Sequence, residues 1–126
     1  MAREPRIVKV HSLKNQALIA DKCYVAECFF DRLRGLIGRS DFAAGRGMLF
    51  PKCNSIHMWF MKLPIDVVFI SEGVKENSFM VTSVRENIQP WRACPLGDFK
   101  ASHTLELPVG SIKRCSIIAG DELCIS

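Results

Sequence analysis

The chain has 126 residues, of which 48% are hydrophobic and 24% are charged, and its formal net charge at pH 7 is +4. These values are typical of one folded globular domain, and they exclude a disordered or collagen-like polypeptide. No apolar stretch reaches the ~20 residues that a membrane-spanning helix needs, and none of signal-peptide length follows the charged start. We therefore expect a single domain over residues 1–126, a cytoplasmic location and no membrane partner.

Period-two alternation and short apolar runs predict strands throughout the chain. The first two lie near residues 7–10 and 17–27, and Asp21-Lys22 is expected to interrupt the second. The later strands are predicted near residues 48–50, 56–61, 65–70, 79–84, 103–107 and 122–125. Turn residues such as those of Glu72-Gly73 separate these runs, as expected of strands that return antiparallel.

One segment has helical periodicity. The apolar residues at positions 29, 30, 33, 36 and 37 form one stripe of a helix, and Gly38 offers a stop. We predict one principal short helix near residues 29–38. The fold class is therefore mainly β, an antiparallel sandwich or closed barrel of about six to eight short strands.

The six cysteines are interpreted as free, reduced thiols that pack as small hydrophobic side chains. A disulfide framework needs an oxidising compartment, and a structural zinc site needs close C-x-x-C pairs, which the chain lacks. Cys53, His57 and neighbouring methionines could suit Cu(I), but core packing is the favoured interpretation. We expect no metal and no cofactor. The cysteines stand at positions 23, 28, 53, 94, 115 and 124.

Four ordered stretches carry a resemblance to a known family. They read RLRGLIGR at 32–39, GMLF at 47–50, HMWFMK at 57–62 with PIDVVFI at 64–70, and LELPVG at 105–110 with GD at 120–121. In order and spacing they cover most of the chain, which resembles the bacterial and archaeal family called domain of unknown function 192. The resemblance implies a small, mainly β fold with a helix after the first strands, and it implies no reaction. The chain departs from the family at residues 60–66, which read FMKLPID where the family often has WMKNT before PLD.

Two carboxyl groups stand inside apolar strands. Asp66 precedes Val67 in one predicted strand, and Glu106 lies between two leucines in another. An unpaired ionised carboxylate in such a place is costly, so each needs a partner or stays protonated. In the structural interpretation, which we favour, each pairs with an arginine (Arg32 or Arg39) or accepts backbone N–H bonds, and so fixes the helix on the sheet.

In the functional interpretation, the same carboxyl groups line a pocket with His57 and Arg39. Trp91 lies on a proline-containing loop, where an indole either plugs the end of a barrel or contacts a ligand. The candidate binding residues are Arg32, Arg39, His57, Trp59, Asp66, Trp91 and Glu106. No catalytic residue is assigned, because none of the common catalytic sequence motifs occurs.

These residues suggest three functions. The leading hypothesis is a non-enzymatic accessory module that binds a small polar ligand or a protein segment near Arg39, Asp66 and Trp59. The alternative is a small hydrolase or isomerase that uses Asp66 or Glu106 as an acid–base group. The weakest is nucleic-acid binding through residues 32–52, where basic residues outnumber acidic ones.

Overall fold

The computed structural model describes residues 6–26, 45–56, 64–89 and 96–126. Strands dominate these ranges, and the described part contains one short helix, α1. The elements are β1 (Arg6–Ser12), β2 (Leu18–Val25), β3 (Arg46–Phe50), β4 (Ser55–Ile56), β5 (Ile65–Glu72), β6 (Ser78–Ile88), β7 (Leu96–Gly97), β8 (His103–Pro108), α1 (Ser111–Cys115) and β9 (Glu122–Ile125). The mainly β prediction is confirmed. The helix predicted near residues 29–38 lies outside the described residues.

Seven strands form one sheet that closes on itself in the order β1, β2, β3, β8, β5, β6, β9. Closure depends on β9, which pairs antiparallel with both β6 and β1. Every neighbouring pair is antiparallel except β2 and β3, which run parallel. A closed sheet leaves none of these seven strands with a free edge. The remaining two strands, β4 and β7, form a small separate ribbon.

The interruption expected at Asp21-Lys22 takes the form of a β-bulge within a continuous strand. Val8 of β1 pairs with Cys23, whereas Val10 pairs with Ala20, so two residues of β2 oppose one residue of β1. The N–H groups of both bulged residues donate to the carbonyl of Gly45, at 2.7 and 3.1 Å. The bulge therefore satisfies its own backbone donors while the strand continues, as bulges in antiparallel pairs commonly do.

The main core fills the interior of the closed sheet. All seven strands and α1 contribute side chains to it, among them Val68 and Leu105, which are fully buried. Residues of β5 and β8 are also buried on their outer face, where two smaller apolar clusters lie. The first contains Ile65, Val67, Phe69, Ile88, Leu96 and Ala101, and the second contains Ala26, Met48 and Phe50. Burial on both faces explains why β5 reads as an almost continuous apolar run.

The four described cysteines are unpaired, and the reduced state of all six stays a prediction. Cys115 belongs to the interior core with Leu123 and Ile125. Cys124 lies between those two residues on β9, so its side chain is on the other face of the sheet. Burial raises the pKa of the Cys23 thiol to about 12. Cys28 and Cys94 lie outside the described residues.

Thiol reactivity should follow this burial. In the native protein, iodoacetamide should modify Cys53 and Cys124, which are partly exposed, much faster than Cys23 or Cys115, which are buried. The reactive species is the thiolate, which burial disfavours. Peptide mapping by mass spectrometry measures each site, and denaturation without reductant should make all six cysteines reactive. Rapid native labelling of Cys23 would contradict the buried-core assignment.

Candidate functional site

Asp66 is buried at the first turn of α1, where its carboxylate accepts three backbone hydrogen bonds. Oδ1 accepts from the N–H of Asn87 at 2.9 Å. Oδ2 accepts from the N–H groups of Gly110 and Ile112, both at 3.0 Å. The residue is 1% exposed. This is the backbone-bonded form of the structural interpretation, and the helix that Asp66 fixes on the sheet is α1.

Irregular backbone on both sides of Asp66 turns these donors toward it. The register between β5 and β6 is interrupted at Asp66, which opposes Glu86 and Asn87 together. Asn87 has a φ of 51° and Gly110 a φ of 94°, both in the left-handed region. Gly110 tolerates this conformation because it has no Cβ. Asp66 thus joins the end of β6, the turn after β8 and the start of α1, and its oxygens are occupied.

Glu106 has the opposite environment. It is 1% exposed, and neither of its carboxyl oxygens has a hydrogen-bond partner among the described residues. Burial raises the pKa of this carboxyl to about 8. At neutral pH Glu106 is therefore mostly protonated. Its hydroxyl donor and its carbonyl acceptor both lack a partner among the described residues.

The two carboxyl groups lie on opposite faces of the sheet. Asp66 is paired with Leu107 in the register of β5 and β8, and Val67 is paired with Glu106. Leu107 faces the interior core, whereas Val67 belongs to an outer cluster. The structure therefore does not bring Asp66 and Glu106 into one pocket, and the hypothesis that they act together does not fit it. Side chains alternate between the two faces along a strand. Because Asp66 and Glu106 are paired with neighbouring positions of each other's strands, and not with each other, they lie on opposite faces.

The side chain of Glu106 lies between the two outer apolar clusters. Its register partners are Met48 on β3 and Val67 on β5, and each belongs to a different cluster. Thr104, two residues earlier on the same face, donates its hydroxyl to the carbonyl of Cys53 at 2.7 Å. We call Glu106, Met48 and Val67 the Glu106 site. Small-molecule sites are lined mostly by apolar side chains with a few placed polar groups, and the residues of the Glu106 site have this composition.

Arg85 is the charged residue that shares a row with the Glu106 site. It pairs with Val67 across β5 and β6 and so lies one strand beyond it on the same face. Its guanidinium lies 5.9 Å from the centre of the Phe69 ring and donates to the carbonyl of Val84 at 3.0 Å. The raised pKa of Glu106 has burial as its cause, which indicates that Arg85 does not compensate the carboxyl.

A cleft adjoins the β4–β7 ribbon. It has a volume of about 320 Å³ and is lined by Asn54, Ser55, Leu96, Gly97, Asp98 and Phe99. Asp98 holds the ribbon on β6, because its Oδ2 accepts from Ser83 at 2.6 Å and from Thr82 at 2.7 Å. Hydrogen bonds from Ser83 and then Thr82 hold the pKa of Asp98 below its usual value. Because these bonds occupy the carboxylate, no lining residue in the described part of the chain offers an unused buried polar group such as Glu106 does.

His103 is a buried imidazole that is not among the predicted binding residues. Its Nδ1 accepts from the N–H of Lys52 at 3.0 Å, so the neutral ring carries its proton on Nε2. Nε2 lies 3.6 Å from Glu72 Oε1 without a hydrogen bond, and the ring packs edge-on against Phe79. His103 and Glu106 are separated by an odd number of positions along β8, so their side chains lie on opposite faces of the sheet. His103 therefore does not reach the Glu106 site.

Five of the predicted site residues lie outside the described part of the chain, so their roles remain predictions. They are Arg32, Arg39, His57, Trp59 and Trp91. Within residues 6–26, 45–56, 64–89 and 96–126 there is no group of three or more metal-ligating side chains. Over the same ranges no helix is long and apolar enough to cross a membrane.

Comparison with known proteins gives one family and several relatives. Residues 9–125 match the family of domain of unknown function 192, which is described as "Uncharacterized ACR". A UPF0127 protein of Thermococcus sibiricus (strain DSM 12597 / MM 739) is 34% identical over 104 residues, which cover 79% of this chain and 62% of the relative. The chain thus spans less than two thirds of the length of this curated relative.

Two solved structures share the fold over almost their whole length. One, a candidate transcription regulator from Sinorhizobium meliloti 1021, has a TM-score of 0.77 and 23% identity, and the match covers 99% of this chain and 96% of that one. The other, a protein of unknown function from Novosphingobium aromaticivorans DSM 12444, has a TM-score of 0.73 and 20% identity, and covers 97% and 93%. At these identities the likeness establishes the fold alone.

Proposed function

The chain belongs to the domain of unknown function 192 family, and we propose that within this fold it serves as a binding module for a small ligand, with Glu106 as the polar contact. The observation that carries the proposal is the Glu106 carboxyl, which is buried and has no hydrogen-bond partner among the described residues. Met48 and Val67 would supply apolar contacts on either side. The predicted binding role of Glu106 is kept, whereas Asp66 acts as structural support.

Energetics favour a ligand over a purely structural role for Glu106. A buried polar group without a partner costs about 1–3 kcal/mol, and such groups are few in native proteins. Asp66, by contrast, has three backbone donors within 3.0 Å. The protein thus provides hydrogen bonds for one buried carboxyl group and none, among the described residues, for the other. Keeping the second group costs stability, and such a loss is common where function requires the residue.

The enzyme hypothesis draws on the same residue. A carboxyl with a pKa of about 8 could transfer protons near neutral pH. General acid–base chemistry usually needs a second positioned group, and Asp66 and His103 both lie on the opposite face of the sheet. On the described residues, binding is therefore the better-supported function.

A nuclear magnetic resonance titration of small polar probes tests the binding proposal. We would add acetamide, imidazole, methanol and methylammonium separately to protein labelled at methionine and valine methyl groups. At least one probe should shift the methyl signals of Met48 and Val67 in a saturable manner. Glu106→Leu should abolish the shifts, and Glu72→Gln, which alters an exposed carboxylate on β5, should leave them unchanged. No saturable shift with any probe would overturn the proposal.

Nucleic-acid binding predicts a different result. The chain carries both basic and acidic residues, and its net charge is only +4. Association with duplex DNA should therefore be weak and should disappear as salt rises. Fluorescence anisotropy with a labelled random duplex at low and physiological salt measures this. Tight, sequence-selective binding at physiological salt would contradict the expectation and would make the basic stretch at 32–52 the functional region.

A further inference from the structure

We propose that the ligand group meeting Glu106 is uncharged and presents a hydrogen-bond donor beside an acceptor, as the edge of a carboxamide or lactam does. The inference rests on the proposed function, because it specifies the chemistry of the same site. It follows from what surrounds the two carboxyl oxygens.

The immediate surroundings of Glu106 offer no countercharge and no spare donor among the described residues. Its register partners are the apolar Met48 and Val67. On β8, the same face carries Thr104 on one side and Pro108 on the other. The Thr104 hydroxyl is used by Cys53 O, and proline has no backbone N–H. Because no described residue bonds to either oxygen, the proposed occupant supplies both hydrogen bonds itself.

The other charged or titratable groups on this face do not change that conclusion. Tyr24 and Cys53 pack against the cluster that contains Met48, and neither a phenol nor a thiol can supply a positive charge. Arg85 lies beyond Val67, where its guanidinium covers the Phe69 ring. An ionised Glu106 would thus have no opposite charge beside it on β3, β5 or β8.

A cationic ligand would have to ionise this carboxyl in apolar surroundings. The desolvation of two charges then opposes their attraction, and a buried ion pair gains little unless additional hydrogen bonds support it. The neutral acid avoids this loss. It presents a carbonyl acceptor and a hydroxyl donor side by side, and a carboxamide presents the complementary pair. A ligand that supplies only one of the two bonds leaves one oxygen unpaired.

Acetamide and acetamidinium form the matched probe pair, because they have the same shape and differ in charge. We would titrate each into the methyl-labelled protein between pH 6 and pH 9. Acetamide needs the protonated carboxyl, so its affinity should be constant below a pH of about 8 and should fall about tenfold per unit above it. Acetamidinium needs the ionised carboxyl, so its affinity would rise with pH up to the same value.

Two substitutions complete the test. Glu106→Gln keeps a donor beside an acceptor and cannot ionise, so acetamide should still bind within a few fold and without pH dependence. Glu106→Leu should remove binding altogether. Saturable shifts with acetamidinium alone, lost in Glu106→Gln, would overturn the inference and leave the binding proposal intact. If neither probe binds while imidazole or methanol does, the inference also fails alone. If no probe binds at all, both fail.

Discussion

Replacing Asp66 by Asn should lower the free energy of unfolding by about 2–4 kcal/mol. An asparagine has the same shape, but it offers one acceptor oxygen and a donor NH₂ group in place of two acceptors. The amide oxygen can serve the N–H groups of Gly110 and Ile112, which share Oδ2 in the native protein. The amide nitrogen then faces the N–H of Asn87, donor against donor, so that hydrogen bond is lost.

Chemical denaturation of the wild type and the variant measures this loss. Asp21→Asn is the matched control, because Asp21 is an exposed carboxylate whose ion pair with Lys9 has an N···O distance of 3.6 Å. The control should change stability by less than about 0.5 kcal/mol. A loss below ~1 kcal/mol for Asp66→Asn would show that the three hydrogen bonds contribute little.

The same experiment separates the backbone interpretation from the arginine interpretation. We expect Asp66→Asn to show no coupling with Arg32→Met or Arg39→Met, because backbone donors already occupy both carboxylate oxygens. A coupling of more than about 1 kcal/mol in a double-mutant cycle would identify that arginine as a further partner.

The sequence predicted the strand positions well because they depend on local periodicity. The short apolar runs in residues 65–70 and 103–107 placed β5 and β8 correctly, and they marked Asp66 and Glu106 as carboxyl groups in apolar strands. The partners of Asp66 could not be predicted, since they lie 21, 44 and 46 residues away. They depend on a bulge in β6 and a left-handed turn after β8, and neither leaves a periodic signal.

Tertiary contacts also explain the elements that the sequence did not reveal. Helix α1 has five residues, and Gly110 at its N-cap makes no side-chain cap. Asp66 supplies that cap from a distant strand, so the usual local signature of a helix start is absent. The parallel pairing of β2 with β3 likewise depends on a crossover connection. The sequence alone could not identify which carboxyl group lacks a partner among the described residues, because that depends on the register of β3, β8 and β5.

Glu106 should make the protein less stable as pH rises from about 4.5 to about 8. Burial raises the pKa of its carboxyl from the ordinary value of 4.5 to about 8 in the folded protein. Within this window the folded state keeps the proton and the unfolded state has lost it, so stability falls by about 1.4 kcal/mol per pH unit. Below pH 4.5 Glu106 is protonated in both the folded and the unfolded state, so its ionisation does not lower the free energy of unfolding there.

Glu106→Gln should remove this slope, because an amide is neutral at every pH in the window. The variant should match the wild type near pH 4.5 and exceed its free energy of unfolding by about 3 kcal/mol at pH 7. Urea denaturation at several pH values measures both curves, and their difference cancels the other carboxylates, including Asp98. Glu76→Gln, an exposed control in the turn between β5 and β6, should keep the wild-type slope. Parallel curves for the wild type and Glu106→Gln would show that Glu106 titrates normally in the folded protein, which would mean that a charged group compensates its burial.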